Sequence, residues 1–194
     1  MRYPTTHKDL TRQRIINVSS RLFKEHGIDA TGLASIMSEA NLTNGAFYAH
    51  FASKEALVEA VIADQLQAQL EQFGQAPKDI NGLKQIINIY LSKEHLSNCS
   101  EGCPSAALLD EIVKRPNSTK NAYTNGLKRI VKNLADSLPE TRPEKSESLI
   151  ISLVSLLIGT LQLSRAVTDE MFSAQILESG RATAHNLLDK HCDP

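Results

Sequence analysis

Helical patterning extends through almost the whole chain, and this feature most strongly limits the folds that the sequence can adopt. Apolar residues recur at helical spacing, no segment shows the alternation of a strand, and the glycine and proline breaks fall between the helical segments. We therefore predict an all-α protein. The predicted helices lie at about 9–26, 33–40, 43–49, 53–73, 79–97, 104–115, 118–137, 144–168 and 170–190.

The segment Gly74–Asn81 interrupts this pattern with Pro77 and several polar residues. A chain of 194 residues can hold one large domain or two small ones. The interruption predicts an N-terminal domain at 8–68 and a C-terminal domain at 74–194.

Charge gives two opposing indications about partners. The net charge of −1 argues against a nucleic-acid-binding protein, which usually carries a basic excess. Residues 1–24, however, carry six basic side chains against the single acid Asp9, which is enough to meet a phosphate backbone. A solvated N-terminus is the equally well supported alternative. The six are Arg2, Lys8, Arg12, Arg14, Arg21 and Lys24.

Several classes of protein are disfavoured. Three cysteines, an odd number, do not indicate a disulfide framework, and residues 1–20 lack the apolar core of a signal peptide. The longest apolar run, Leu149–Leu163, is shorter than the roughly 20 residues that span a membrane. Nucleophile-elbow, zinc-protease and phosphate-loop motifs are absent from the sequence. We expect a soluble cytoplasmic protein that is not an enzyme and uses neither a cofactor nor a metal ion.

Two short predicted helices flank a break at Asn41, within the segment Thr31–Phe51. Thr31 and Thr43 are suited to cap the helices that follow them, since a threonine hydroxyl accepts a bond from a free backbone N–H. A tight turn at this break needs positive φ, which asparagine tolerates better than most residues other than glycine. This arrangement predicts a helix-turn-helix, whose second helix enters the major groove of DNA.

The residues after the turn make this interpretation specific. Leu42–Phe51 reads LTNGAFYAHF and Ser53–Leu57 reads SKEAL. The run resembles the tetracycline-repressor (TetR) family, whose pattern is a small hydroxyl residue, a polar residue, glycine, aromatic–Tyr–x–x–Phe, and then Ser/Thr-Lys-Glu. The resemblance covers about residues 8–65, with departures at Met37, where the family has a small alanine, and at Asn44, where lysine is common. The upstream matches are Leu22, Phe23, Gly27 and Thr31.

The first residues of the second helix have a chemistry suited to reading DNA. Thr43, at a helix N-terminus, offers a hydroxyl and free backbone N–H groups to a phosphate. Gly45 and Ala46 are small enough for a close approach to the bases, and Ala46 can touch a thymine methyl group. Asn44 can pair with adenine through two hydrogen bonds.

The resemblance places Tyr48, His50 and Lys54 where the family contacts phosphates, and each carries a suitable donor. Phe47 and Phe51 are predicted to pack in the core of the small domain instead. The candidate DNA-contacting residues are Thr31, Thr43, Asn44, Gly45, Ala46, Tyr48, His50 and Lys54.

The resemblance also implies a C-terminal helical domain that senses a ligand and dimerises through its last two long helices, at 144–168 and 170–190. The run Leu149–Leu163 agrees, because it is apolar around most of its circumference and needs covering. The expected protein is a homodimeric repressor, released from a palindromic double-stranded DNA operator by an unknown small molecule or a redox signal, with no membrane partner. Two alternatives stay open: an activator or assembly regulator without a small ligand, and a helical carrier of an apolar molecule without DNA binding.

The segment from His95 to Pro104 contains two cysteines and supports three interpretations. Cys103 can be a small buried apolar residue in front of a helix that Pro104 begins. It can instead be a thiol sensor, since a helix N-terminus favours the thiolate and Cys99 is close enough in sequence to form a disulfide. The third interpretation is a metal site formed by His95, Cys99 and Cys103, which lacks a fourth ligand nearby in sequence.

Overall fold

The computed structural model of the chain describes residues 7–138 and 143–192, except for the side chains of Pro143 and Cys192. Within these ranges the fold consists of ten α-helices and contains no strand, which confirms the predicted fold class. The helices are α1 His7–His26, α2 Leu33–Glu39, α3 Asn44–Phe47, α4 Lys54–Phe73, α5 Ile80–Tyr90, α6 Lys93–Ser97, α7 Pro104–Ile112, α8 Asn117–Ala135, α9 Pro143–Ala166 and α10 Glu170–Cys192.

The first three helices enclose a small apolar core that the start of α4 completes. α1 packs against α2 and α4, and α2 packs against α3. α1 ends at His26, because Gly27 takes a φ of 87°, a left-handed conformation that glycine adopts without a steric penalty. The core side chains are Ile15, Ile16, Phe23, Ile28, Ile36, Met37, Phe47, Phe51, Leu57, Val58 and Val61.

Helix α4 connects this small core to the rest of the molecule. It packs against α1 and also along α8. The approach of α4 to α8 is close, since a Cβ atom on Gly126 would lie 2.6 Å from Leu66 Cδ1. Because α4 is one continuous helix from Lys54 to Phe73, the domain bounds of 8–68 and 74–194 stay a prediction.

The single helix predicted at 79–97 is wrong, because the chain breaks into α5 and α6. Leu91 leaves the helical conformation, with φ of −98° and ψ of 35°. Ser92 then begins α6, and its hydroxyl accepts a hydrogen bond from the His95 backbone N–H at 3.1 Å. A serine that caps a new helix start competes with continuation of the preceding helix.

The last two helices form an antiparallel pair in which α9 also packs against α7 and α8. One face of α9 is buried within the chain, through Ile150, Leu153, Leu157 and Leu161. Ile151 and Leu163 are exposed, at 54% and 61%. The apolar run is therefore only partly covered by the rest of the monomer.

Helix α9 also bears on the membrane prediction. The stretch Glu144–Ala166 has a mean hydropathy of 1.7 and is long and apolar enough to cross a membrane, judged by length and composition alone. Length alone therefore does not exclude a span, contrary to the sequence prediction. The core helix of a soluble protein passes the same test, and 39% of the stretch is buried inside the chain.

Candidate nucleic-acid interface and adjoining pocket

Helices α2 and α3 are joined by the tight turn that the sequence predicts. Asn41 has a φ of 54°, so the predicted positive φ is confirmed. The Leu42 backbone N–H donates to the Met37 carbonyl at 2.9 Å and closes the turn. α3 then begins at Asn44, with Thr43 at its N-cap position, but the Thr43 hydroxyl accepts no hydrogen bond from the helix, so the predicted side-chain cap is wrong here. The predicted helix-turn-helix is present.

The outward face of α3 carries most of the candidate DNA-contacting residues. Thr43, Asn44 and Gly45 are exposed, and Tyr48 is 69% exposed. The space in front of Gly45 is open, since a Cβ atom there would meet nothing described within 4 Å. These four residues form one accessible surface that another molecule can approach closely.

The opposite side of α3 anchors it to the core. Phe47 is 1% exposed and Phe51 is 4% exposed, which confirms the prediction that both rings are buried. The two rings stack with their centroids 5.7 Å apart. The Arg12 guanidinium lies over the Phe51 ring, 4.8 Å from its centroid. Ala46 lies between the two sides and is half-buried.

Thr31 does not lie on this surface, and its predicted role as a helix cap is wrong, whereas its DNA contact stays a prediction. Gly32 occupies the N-cap position of α2. The Thr31 side chain is 4% exposed, and its hydroxyl donates to the Gly27 carbonyl at 2.7 Å. The Thr31 hydroxyl therefore stabilises the turn after α1.

Lys54 and His50 occupy intermediate positions. The Lys54 ammonium donates to the Ile28 carbonyl at 2.6 Å, so it must leave that partner, or share its protons, to contact a phosphate. His50 is half-buried, and its Nδ1 has no hydrogen-bond partner in the described part of the chain. The exposed surface of α3 therefore carries the DNA-reading candidates more directly than these two residues do.

The basic N-terminal segment is less uniform than its sequence indicates. Arg12 and Arg14 are exposed, and Arg14 reaches the Ala40 carbonyl beside the turn at 3.4 Å. Arg21 forms ion pairs with Glu25 and Glu39, and Lys24 is buried at 7% exposure. Arg2 lies outside the described residues. Only part of the predicted basic patch adjoins the helix-turn-helix.

A cavity of 540 Å³ opens between α4, α5 and the segment that leads into α7. Gln65, Gln69 and Gln72 line it from one face of α4, at helical spacing. The described lining contains no lysine or arginine. Sequence reasoning missed this site, although the spacing of the glutamines was its available signal.

Cys103 lies at the inner end of this cavity and at the N-cap of α7. Its side chain is 6% exposed, and its Sγ is 3.6 Å from Gln69 Oε1. The Cys99 thiol points elsewhere, toward the Lys24 carbonyl at 3.4 Å. Both of these cysteines are free thiols. The pKa of Tyr90 is raised well above its ordinary value, mainly because the side chain is buried and to a smaller extent because Cys103 lies beside it.

His95 fixes the backbone beside Cys103. Its Nδ1 donates to the Tyr90 carbonyl at 2.7 Å, so Nε2 of the neutral ring is the acceptor for the Cys103 backbone N–H at 3.1 Å. Burial lowers the pKa of His95 and so favours this neutral form. Because both ring nitrogens are occupied, His95 is poorly placed to be a metal ligand.

The matched family is consistent with this geometry. Residues 15–61 match the family described as bacterial regulatory proteins, tetR family. This segment, which contains the helix-turn-helix, is similar to the DNA-binding region of that family. The matched residues cover α2, α3 and the start of α4, which carry the exposed surface.

Two curated relatives each match part of the chain. The HTH-type transcriptional regulator UidR of Escherichia coli K12 is 29% identical over 108 residues, which are 56% of this chain and 53% of that protein. The uncharacterized regulator YerO of Bacillus subtilis is 37% identical over 71 residues, covering 37% of this chain and 25% of that protein. The chain thus spans about half the length of UidR.

Solved structures of transcription regulators share this fold over more than nine-tenths of the chain. E. coli NemR in its reduced form has a TM-score of 0.76 at 19% identity, over 91% of this chain and 95% of that one. A TetR transcriptional regulator from Legionella pneumophila has a TM-score of 0.72 at 23% identity, over 99% and 100%. At these identities the likeness concerns the fold, including the helical C-terminal domain.

Proposed function

We propose that the protein is a homodimeric transcription regulator that binds a palindromic DNA operator. The observation that carries this proposal is the accessible face of α3, where Thr43, Asn44, Gly45 and Tyr48 are exposed together. An α-helix presented in this way fits the major groove, and its first residues can contact base edges. A cytoplasmic location and the absence of an enzymatic activity belong to the same proposal.

The outer face of α9 and α10 supports dimerisation. Met171 and Phe172 are 85% and 50% exposed, in addition to the exposed apolar residues of α9. Gly180 packs closely on α9, since a Cβ atom there would be 2.4 Å from Thr160 Oγ1. Helices α9 and α10 therefore pack closely against each other. The apolar surface that they leave uncovered is typical of protein–protein interfaces.

We further propose that the protein is a repressor and that a small molecule in the 540 Å³ cavity releases it from DNA. The cavity has the size and position of a ligand site between packed helices. A carrier without DNA binding would need this cavity as well, but it would have no use for the exposed face of α3. That face favours the regulator over the carrier.

The first test separates base reading from phosphate contact. Asn44→Ala is expected to relax the preference at one base pair, with a cost of about 1–3 kcal/mol at the preferred base. Tyr48→Phe removes only a hydroxyl and should weaken binding to all sequences to a similar extent. Binding of both variants is measured by fluorescence anisotropy on a duplex selected from genomic fragments and on its single-base variants. Identical profiles for the two variants would contradict the assigned roles.

A thiol-reactive signal is the second effector that the structure supports. Cys103 lines the cavity and stands at the N-cap of α7, so a group attached to its sulfur would lie between the cavity and the start of that helix. An electrophile such as N-ethylmaleimide would form a C–S bond with this sulfur, while the adjacent carbon of the reagent takes up a proton. The adduct fills the inner end of the cavity and pushes on the start of α7.

We expect N-ethylmaleimide or mild peroxide to abolish DNA binding by the wild type and to leave Cys103→Ser unaffected. Cys99→Ser is the matched control, because Cys99 is in the same segment but its thiol bonds to the Lys24 carbonyl instead. This control should remain as sensitive as the wild type to the electrophile. If Cys103→Ser and the wild type respond equally, Cys103 is a packing residue and the thiol proposal fails.

A further inference from the structure

Glu111, near the C-terminal end of α7, binds the turn that follows α1. Its carboxylate accepts hydrogen bonds from the Ile28 backbone N–H at 2.9 and 3.1 Å and from the Asp29 backbone N–H at 3.2 Å. Its side chain is 17% exposed. Successive backbone N–H groups that point into one hollow form a natural site for an anion, and here a carboxylate from a distant helix occupies it.

The turn is shaped to receive this carboxylate. Gly27 has a φ of 87°, and a Cβ atom there would lie 2.9 Å from Glu111 Oε1. Any larger residue would strain the backbone and crowd the carboxylate. Gly27 therefore ends α1 and also leaves the space that Glu111 needs.

Arg115, one helical turn beyond Glu111, reinforces the attachment from the outer side. Its guanidinium is 3.5 Å from the Glu111 carboxylate and 3.7 Å from the Glu55 carboxylate at the start of α4, and it also pairs with Asp29. The Arg115 side chain is 14% exposed, so these ion pairs are partly shielded from water. One cation thus links α7 to both the turn and α4.

The other end of α7 is attached to α1 as well. The buried Lys24 ammonium donates to the Gly102 carbonyl at 3.3 Å and to Gln65 Oε1 at 3.0 Å. Helix α7 has 9 residues, a length of about 13 Å. This short helix begins directly after Cys103, which lines the cavity, and Glu111 near its other end binds the turn.

The turn after α1 also contacts the residues that support the candidate DNA-binding surface. Its Ile28 carbonyl accepts the bond from Lys54, and its Gly27 carbonyl accepts the bond from Thr31, next to the start of α2. A displacement of the turn therefore changes the support of α2 and α4. The path from the cavity to the DNA-binding surface is continuous through α7 and Glu111.

We propose that Glu111 is the positioning residue that fixes the orientation of the DNA-binding domain on the C-terminal domain. This inference rests on the proposed function as a dimeric DNA-binding regulator. In a dimer, the orientation of each DNA-binding domain sets the spacing of the two recognition helices. Binding to a full palindrome needs that spacing, whereas binding to one half-site does not.

The test compares Glu111→Gln with Asp110→Asn in the full-length dimer. Both changes remove one negative charge from α7, but Asp110 is exposed and does not reach the turn. Amide exchange of residues 28 and 29 is measured by mass spectrometry. DNA affinity is measured on a palindrome selected from genomic fragments and on the same duplex with one half scrambled. Circular dichroism confirms that each variant is folded.

For Glu111→Gln we expect exchange of these amides to accelerate by roughly tenfold or more, because charged acceptors form the stronger hydrogen bonds. Affinity for the palindrome should fall by about 3- to 30-fold, with little change on the half-site. Asp110→Asn should match the wild type in every measurement. An equal loss of affinity on both duplexes would show that Glu111 has a merely structural role. Unchanged affinity on both duplexes would also overturn the inference. A wild type that binds no selected duplex would instead refute the proposed function itself.

Discussion

Arginine at both Ser155 and Gly159 is expected to convert the protein from a dimer into a monomer. Both residues lie on the outer side of α9, where Ser155 is exposed and a Cβ atom on Gly159 would meet nothing described within 4 Å. The monomer therefore has room for both side chains. Replacing the glycine within the helix should stabilise the helix by about 1 kcal/mol. In a packed dimer, four unpaired guanidinium groups would be buried, which is strongly unfavourable.

The loss of the dimer should reduce operator affinity by about 100- to 10,000-fold, because the two DNA-binding domains no longer act together. Sedimentation velocity at micromolar concentration measures the first effect, and anisotropy on the selected palindrome measures the second. The matched control is arginine at Asn121 and Asn125, which have the same spacing on the exposed side of α8. A dimeric Ser155→Arg/Gly159→Arg double variant would rule out this face as the interface. Charges at Leu153 and Leu157 would not serve, since both are buried in the monomer.

Phe47→Ala should destabilise the N-terminal domain by about 3–5 kcal/mol. Its ring is 1% exposed and stacks on Phe51, so truncation leaves a cavity beneath α3. We expect a lower midpoint of chemical unfolding and faster amide exchange throughout α2 and α3. DNA binding should be lost together with the folded domain, and cooling or a stabilising osmolyte should partly restore it.

The neighbouring Tyr48→Ala provides the contrast. Tyr48 is 69% exposed and meets Phe47 only at a ring edge, with the centroids 5.2 Å apart. Its truncation should cost less than about 1.5 kcal/mol of stability while it weakens DNA binding. If the two variants lose equal stability, the division of α3 into a buried side and a DNA-facing side is incorrect.

The sequence predicts the interface in part because its signals are local. The positive φ of Asn41 and the burial of Phe47 both follow from spacing within a few residues. Periodicity likewise predicts eight of the ten helices in the described residues approximately, but it merges α5 and α6 because it does not detect the break at Leu91. That break depends on whether Ser92 caps a new helix or stays within a longer one, and both arrangements satisfy the local pattern.

Sequence reasoning misplaced Thr31 despite a nearby partner, and it could not find the partners of Lys54 and Glu111 because those partners are distant in sequence. Thr31 has the right residue type for a cap, but the carbonyl of Gly27 takes its hydroxyl. Lys54 lies 26 positions from Ile28, and Glu111 lies 83 positions from it. Periodicity within one helix carries no information about such pairs, which form only when the helices pack.

The composition of the cavity wall also has a consequence for selectivity. A carboxylate, phosphate or sulfate group that enters must give up its hydration, and the described lining offers amides, hydroxyl groups and an imidazole, but neither lysine nor arginine, to compensate for the loss. Glu94 and Glu101 are part of the same lining and add repulsion. We therefore expect the cavity to select ligands by their charge. It should bind uncharged or cationic molecules more tightly than anions of similar size.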